Sequence, residues 1–493
     1  MIARQPGAAA GERYDLIVIG GGIHGANVAL EAVRRGARVL LIEAADFGSG
    51  ASGNSLRILH GGLRYLQTLD LIRFRESVAE RRWFARKFPA LVAPLSCFMP
   101  LYGQGLKRRA VLRIALAMND YLSAHRNHGL ESRVALPGGG TVGAAAARAR
   151  FPGTRPEGLE GAALWYDYQM RSSERVLMEL LHWGCRLGLR ALNYLEAERV
   201  LVEGGRTAGV TALDRLDGRR YTFQAERVCN CTGAAARAFA AASDREHARL
   251  FVPSLAFNVL FDCKTPSQDA LAVAAPEPGA PVYFLCPSPF GLWAGTEHVG
   301  RPDECRSAEV SEAELSDFMQ RINRAIPGIG LQRRQVRRVF AGLLPVRTAG
   351  STSLTAREAI VDHGASGGPQ GFYSVTGIKF TTARKVGVRA VAQMLGARSA
   401  EVASGERARD VPPLSPATDL LLDGARVAAM DPVKAVNMIR EVAASEAVHC
   451  AEDFCLRRTN WIFSAADYAS LETLVAQALA APANLRAGSV AGN

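Results

Sequence analysis

No stretch of this chain approaches the ~20 consecutive apolar residues that a helix needs to cross a bilayer. No pair of cysteines has C-x-x-C spacing either. The nine cysteines, at 97, 185, 229, 231, 263, 286, 305, 450 and 455, are odd in number and scattered, several inside apolar strand-like runs. Free thiols in a reducing cytoplasm fit that pattern better than disulfides or a zinc site, so no metal is expected. Residues 1–10 lack the apolar core of a secretory signal and read as a loose tail. Acidic residues are in deficit: 47 Asp and Glu stand against 59 Lys and Arg, a formal net charge of +12. Such an excess suits nucleic acid, an anionic membrane surface or an acidic small substrate, and a solvated basic surface is the plainer reading. Nucleic acid is set aside, because the basic residues are spread and no stacking-aromatic pattern accompanies them. No internal repeat is visible.

What is present is a globular composition, 48% hydrophobic and 22% charged, on a chain of 493 residues. That length is too great for one ordinary core and implies two or three domains. Residues 14–19 (Tyr-Asp-Leu-Ile-Val-Ile) read as a buried parallel strand. Gly20, Gly22 and Gly25 follow in G-x-G-x-x-G spacing, 26–35 has helical spacing, and 36–43 gives a turn and a second strand ending at Glu43. Gly20 allows the tight turn, Gly22 lets the backbone approach a pyrophosphate, and Gly25 lets helix and strand pack closely. The helix amino terminus offers N–H groups and positive potential to phosphates. Glu43 can accept hydrogen bonds from an adenosine ribose, and its charge argues against a 2′-phosphate. The fingerprint alone does not separate NAD from FAD.

A polar, glycine-rich loop, 46–57, leads straight into His60-Gly-Gly-Leu-Arg-Tyr-Leu66. This arrangement resembles the FAD-dependent glycerol-3-phosphate dehydrogenases, within the D-amino-acid-oxidase-like flavoproteins. Further matches follow in order: 76–81, 227–233 (Arg-Val-Cys-Asn-Cys-Thr-Gly), 295–298, 371–385 and 440–459. The late one also makes sense physically. A strand over 372–376 ends at Gly377, and a helix beginning around Phe380 sets its amino terminus and Lys379 against an anion or a reduced flavin. The plainer reading of Lys379 is a surface lysine after a turn.

The resemblance implies an α/β fold: a Rossmann-like FAD-binding domain, an antiparallel β-sheet substrate domain and a small carboxyl-terminal helical domain. The expected FAD-binding segments are 13–95, 155–235 and 335–398, with strand–helix alternation in each. The substrate domain takes 96–154 and 236–334, with strands at 250–263, 282–286 and 292–296. A helix there is announced by the capping box Ser311 to Glu314. Pro412-Pro413 and the polar stretch 399–418 form a linker to the helical domain at 419–480. FAD is the implied cofactor. Its contacts are expected at Gly20, Gly22, Ile23, His24, Gly25, Glu43 and Ala44, then at Ser52, Ser55, Arg57, Gly61 and Gly62, the two glycines facing the flavin ring. Ala197, Thr232, Gly233, Gly377, Lys379, Phe380 and Thr381 complete the set.

By the same resemblance the reaction is oxidation of a secondary alcohol with hydride transfer to flavin, glycerol 3-phosphate to dihydroxyacetone phosphate being the reference. Arg64, Tyr65 and Arg357 would position the anionic substrate, as guanidinium and phenol contacts suit phosphate oxygens. His60 is the nearby base, or else a histidine that holds the glycine turn. Lys379 would stabilise the reduced flavin. The electron acceptor is a quinone or another carrier, the location cytoplasmic or peripheral on the inner membrane. The basic, aliphatic stretch 107–118 either rests on a membrane surface or packs as a helix with a basic outer face.

Departures fall on the substrate side. Where the family has G-x-R-P, the arginine position is Leu344; where it has P-S-K-G-x-H, the positions read Leu255, Ala256 and Asn258. These keep two other readings open: an amino-acid or hydroxy-acid oxidase on the same flavin domain, and a flavoprotein without turnover that serves as a binding component.

Overall fold

The computed structural model describes residues 1–480 apart from 67, 104, 106–107, 248–249, 278, 397–417 and 465–467. The expected linker therefore lies outside the described residues, except for Thr418, and so does Lys107.

Two apolar four-residue strands, Leu16–Ile19 and Val39–Ile42, are buried throughout and pair in parallel at the centre of a six-stranded sheet. The order is Ala359–Asp362, Phe372–Thr376, Val228–Asn230, Leu16–Ile19, Val39–Ile42, Arg190–Leu192, parallel except for the first. Side chains alternate across it. Leu16, Val18 and Leu41 face the helices Ile23–Arg34, Ser173–Arg186 and Ala383–Leu395. Ile17, Ile19, Leu40 and Ile42 face a four-stranded sheet whose Val200, Val210 and Phe223 close the other side. A parallel sheet must be covered on both faces, and this one is.

The second body is a nine-stranded sheet. Its main path runs Val336–Val346, Val252–Phe261, Gly291–Gly300, Val282–Ser288, Ala270–Ala274, Val92–Leu101, Gly161–Met170, Ile58–Leu59, with Gly140–Gly143 off the path on Gly161–Met170. The pairings are antiparallel apart from Ala270–Ala274 with Val92–Leu101. One face buries Leu255, Phe257, Val259 and Leu343 under helix Glu312–Ala325, which opens with the expected capping box at Ser311 and Glu314.

Three expectations are corrected here. Strands Gly161–Met170 and Val336–Val346 belong to the nine-stranded sheet, although 155–235 and 335–398 were assigned to the dinucleotide domain. Apolar alternation marks a strand but does not say which sheet it joins. The late helix begins at Ala383, because Phe380–Thr382 form a turn closed by the Ala383 N–H on Phe380 O at 3.2 Å. The amino terminus is not loose: Ile2 is buried, its N–H donates to Ser445 O at 2.7 Å, and Arg4 pairs with Asp214 at 2.6 Å.

The carboxyl-terminal helices include Pro432–Ser445, a π-turn at Asp453–Arg458 and Tyr468–Ala480, around their own core of Ile439, Phe454, Trp461 and Leu471. Buried ion pairs join them to the dinucleotide body. Asp46 accepts from Arg458 at 2.7 and 2.8 Å and from Arg457 at 2.7 Å. Glu446 meets Arg175 at 2.8 Å and His182 at 2.9 Å. Removing one partner of such a pair costs about 3–5 kcal/mol, so the two parts behave as one unit.

Candidate active site

The first glycine turn is dictated by contact. A Cβ on Gly25 would lie 1.9 Å from Gly20 O, and Gly20 itself has φ 108°, so neither position tolerates a side chain. Helix Ile23–Arg34 begins here. The Ile23 N–H donates to Ser52 Oγ at 2.9 Å, while the N–H groups of Gly22 and His24 have no acceptor among the described residues. Unpaired donors at a helix amino terminus form an anion site. Glu43, at the end of the second strand, accepts from the Gly21 N–H at 2.6 Å and the Ala45 N–H at 2.9 Å; burial pushes its pKa up. Next to it, the Leu195 N–H donates to Glu43 O, which brings the strand carrying Ala197 alongside.

His24 stands where this turn meets the late motif. Its Nε2 is sealed off without a partner, burial lowers its pKa to about 4, and a Cβ on Gly377 would come within 2.0 Å of that atom. Gly377 is therefore fixed by His24. Thr232 Oγ1 donates to Asn230 Oδ1 at 2.7 Å, and Gly233 follows with φ 62°. Thr381 is buried, and Phe380 packs its ring on Phe84. Unpaired N–H groups, a side-chain-free turn and a ribose-height carboxylate together fit an adenine dinucleotide.

Arg57, expected at the cofactor, has its side chain turned to other partners. Its guanidinium is buried against Glu174 at 3.0 Å, donates to Asn460 Oδ1 at 3.0 Å and stacks over Trp293 at 4.9 Å. The charged head is committed to joining the loop to the carboxyl-terminal helices and is not free for a cofactor. Ser55 Oγ accepts the Arg57 N–H at 3.3 Å, shaping the loop locally.

Asp167, which the sequence pattern did not single out, organises the 60–66 stretch. It accepts from the Gly61 N–H at 2.7 Å and from Arg81 Nη1 at 2.6 Å, and it meets His60 Nδ1 at 3.1 Å. Burial alone would raise its pKa, but the His60 bond and the Arg81 charge win and bring it down to about 2. The carboxylate fixes the imidazole by Nδ1 and leaves Nε2 as the acceptor, so His60 can take a proton there. The ring packs on Phe284 at 5.3 Å and is half exposed.

The glycines of that stretch are constrained on their Cβ side. A Cβ on Gly61 would strike Arg81 Nη1 at 2.2 Å, and one on Gly62, with φ 83°, would meet Ser77 Cβ at 2.9 Å. Helix Leu71–Lys87 packs against the Cβ side of both glycines.

Beyond the glycines the chain presents cations. Lys379 Nζ donates to Tyr65 OH and sits 4.4 Å from the ring centroid, with Arg73 at 4.9 Å from the same ring. Arg73 Nη1 also holds Ala356 O at 3.1 Å, which draws Arg357 to this mouth. Asp70, the cap of helix Leu71–Lys87, has its pKa lowered first by its Arg73 bonds and in smaller part by the charge of Arg357. Arg64, Arg347 and Arg357 are exposed and have no carboxylate partner among the described residues. Most other arginines here are paired; these stand ready for an anion.

The opposite wall is the second face of the nine-stranded sheet. Asn258 Nδ2 donates to Asn54 O at 2.9 Å, and a Cβ on Gly342 would touch Ala51 at 3.0 Å. This face therefore meets the glycine-rich loop. Ala256 pairs with Gly342 on one side and His298 on the other, and Leu344 pairs with Ser254, so Ala256, Asn258, His298 and Leu344 share it. Leu255 points the other way into the apolar core and lines nothing. His298 ends the 295–298 match but was assigned no role there; register places it on this face.

The family described as FAD dependent oxidoreductase matches residues 15–394 of this chain. A glycerol-3-phosphate dehydrogenase of Synechocystis sp. is 29% identical over 412 residues, covering 78% of this chain and 70% of its own length. Glycerol-3-phosphate dehydrogenase 1 of Mycobacterium tuberculosis is 29% identical over 384 residues, 76% and 71% of the two chains. Among solved structures, the FAD-complexed glycerol-3-phosphate dehydrogenase from Bacillus halodurans aligns at TM-score 0.69 with 21% identity, covering 96% of this chain and 92% of that one. L-proline dehydrogenase from P. horikoshii aligns at TM-score 0.55 with 17% identity, covering 77% and 93%. At these identities the structures speak for the fold.

Proposed function

The chain belongs to the FAD-dependent oxidoreductases, and from that premise we propose that it oxidises the secondary alcohol of glycerol 3-phosphate, or of a related phosphorylated polyol, to the ketone. The observation that carries the reading is Arg64, exposed and without a carboxylate partner among the described residues, four residues after a histidine held by Asp167. Bound FAD supplies the two-electron acceptor. The residues of the chain do the rest. Arg64 and Arg357 bind the anionic end, and Tyr65, held by Lys379, orients it. His60 Nε2 takes the hydroxyl proton while Asp167 keeps Nδ1 protonated and offsets the positive charge that forms. Lys379 adds a cation where negative charge accumulates on reduction.

For the electron acceptor the reading is a quinone met at a membrane surface. Exposed Leu69, Leu71 and Ile72 follow the short helix Leu63–Leu66, which packs against helix Arg109–Leu122. The latter exposes Ile114 and Tyr121 beside Arg109 and Arg113. Apolar side chains rimmed by cations suit an anionic lipid surface, and imply a peripheral position on the cytoplasmic face of the inner membrane. No helix among the described residues is long and apolar enough to cross a membrane.

The test is anaerobic reduction of the bound flavin by a panel of polyol phosphates, amino acids and hydroxy acids. Bleaching by glycerol 3-phosphate is expected. Bleaching by amino or hydroxy acids alone would assign an oxidase of that class, and bleaching by none would leave a binding component.

A further inference from the structure

Two histidines border the proposed substrate recess and are held in opposite ways. His60 has Nδ1 on a carboxylate. His298 has none. Its neighbour Glu297 turns to the other face, where Tyr283 and Arg321 take it, while His298 stands on the face shared with Ala256, Asn258 and Leu344. His298 Nδ1 is enclosed by protein and makes no hydrogen bond among the described residues, whereas Nε2 is not enclosed in that way. Burial, and then the charge of Arg64, hold its pKa below the ordinary histidine value, so the ring is neutral near pH 7. A neutral imidazole carries one N–H. On Nδ1 it would be a buried donor with no acceptor, the costlier arrangement. The proton therefore sits on Nε2, which makes that atom a donor toward the recess.

We propose that His298 is a substrate-contact residue that sets specificity, its Nε2–H donating a hydrogen bond to an oxygen of the substrate's anionic group beside Arg64. The proposal rests on the phosphorylated-alcohol reading for its substrate and deepens it by dividing the work. Arg64 brings the charge. A neutral donor adds direction without adding to the charge. Ala256, between His298 and Gly342, is small enough to leave room for the group. The two imidazoles then act as complements: His60 accepts a proton at Nε2, and His298 donates a hydrogen bond from Nε2.

The experiment uses the FAD-containing enzyme and its His298→Ala and His298→Gln variants, with FAD content and far-UV circular dichroism confirming the fold. Inorganic phosphate is titrated while the flavin spectrum is followed, and flavin reduction by glycerol 3-phosphate is measured anaerobically over a range of concentrations. His298→Ala is expected to weaken phosphate binding and half-saturation by substrate about tenfold, the effect of one hydrogen bond to a charged group, with the limiting rate within about twofold. His298→Gln, whose side-chain amide also donates, is expected to recover most of the loss. Unchanged affinity in His298→Ala overturns the proposal. So does a fall in limiting rate alone, a Gln variant no better than Ala, or wild-type protein whose flavin phosphate does not perturb. If glycerol 3-phosphate fails to reduce the wild-type flavin but phosphate binds and His298→Ala weakens it, the substrate reading falls and the assignment of His298 stands.

Discussion

The dinucleotide turn and the substrate wall lie a few residues apart in space and are built by different rules. At the turn, Gly20, Gly22, Gly25 and Glu43 act within one continuous stretch, largely through backbone N–H groups and close approach. On the wall, Ala256, Asn258, His298 and Leu344 come from three separate strands and act through side chains. A backbone device cannot change without losing its geometry. A side-chain wall can change its occupants while the sheet beneath it stays the same, and that is where this chain departs from the family pattern.

The largest expected effect tests the rigidity of the turn. Gly25→Val should abolish FAD binding, because the first added carbon already falls 1.9 Å from Gly20 O. Flavin absorbance per mole of purified protein reads it, and a yellow Gly25→Val protein would break the contrast. Next comes the hub beneath the recess. Asp167→Ala strands the buried Arg81 charge and should cost about 3–5 kcal/mol in urea unfolding; a cost under about 1 kcal/mol would mean that water replaces the carboxylate.

The same carboxylate gives a pH dependence. Its folded pKa, about 2, lies below the unfolded value near 3.8. Its contribution is therefore complete above about pH 4 and is lost as pH falls toward 2, amounting to about 2–3 kcal/mol. Acid titration of wild type against Asp167→Ala isolates that loss, which should be missing in the variant. The smallest effect sharpens the other half of the contrast. Leu344→Arg returns a cation to the wall and should improve use of glycerol 3-phosphate about tenfold in kcat/KM. No gain in rate or affinity would place Leu344 outside the recess.

Much of the first half of this account could be read from the residues. The strand at Leu16–Ile19, the glycine spacing and the acid at Glu43 carry their own periodicity, and the capping box at Ser311 announced its helix. Other features were hidden because they depend on partners distant in sequence. That Arg81 and Ser77 lie against Gly61 and Gly62 could not be read from the stretch itself. The partners of the Arg57 guanidinium, Glu174 and Asn460, lie more than a hundred and four hundred residues away and left no local sign. Asp167, and the face taken by His298 within the 295–298 match, were hidden, since a strand residue shows its face only when its neighbours and register are known. Leu255, conspicuous in sequence, belongs to the core.

Arg64, exposed and without a carboxylate partner among the described residues, stands beside the Asp167-held histidine and suits an anionic alcohol. Anaerobic flavin reduction by glycerol 3-phosphate and by glycerol, in wild type and in Arg64→Gln, measures this most directly. The wild type is expected to prefer the phosphate by roughly a hundredfold or more in second-order rate constant, a preference that falls at least about tenfold in the variant. Equal preference in the two proteins, or none in either, would contradict it.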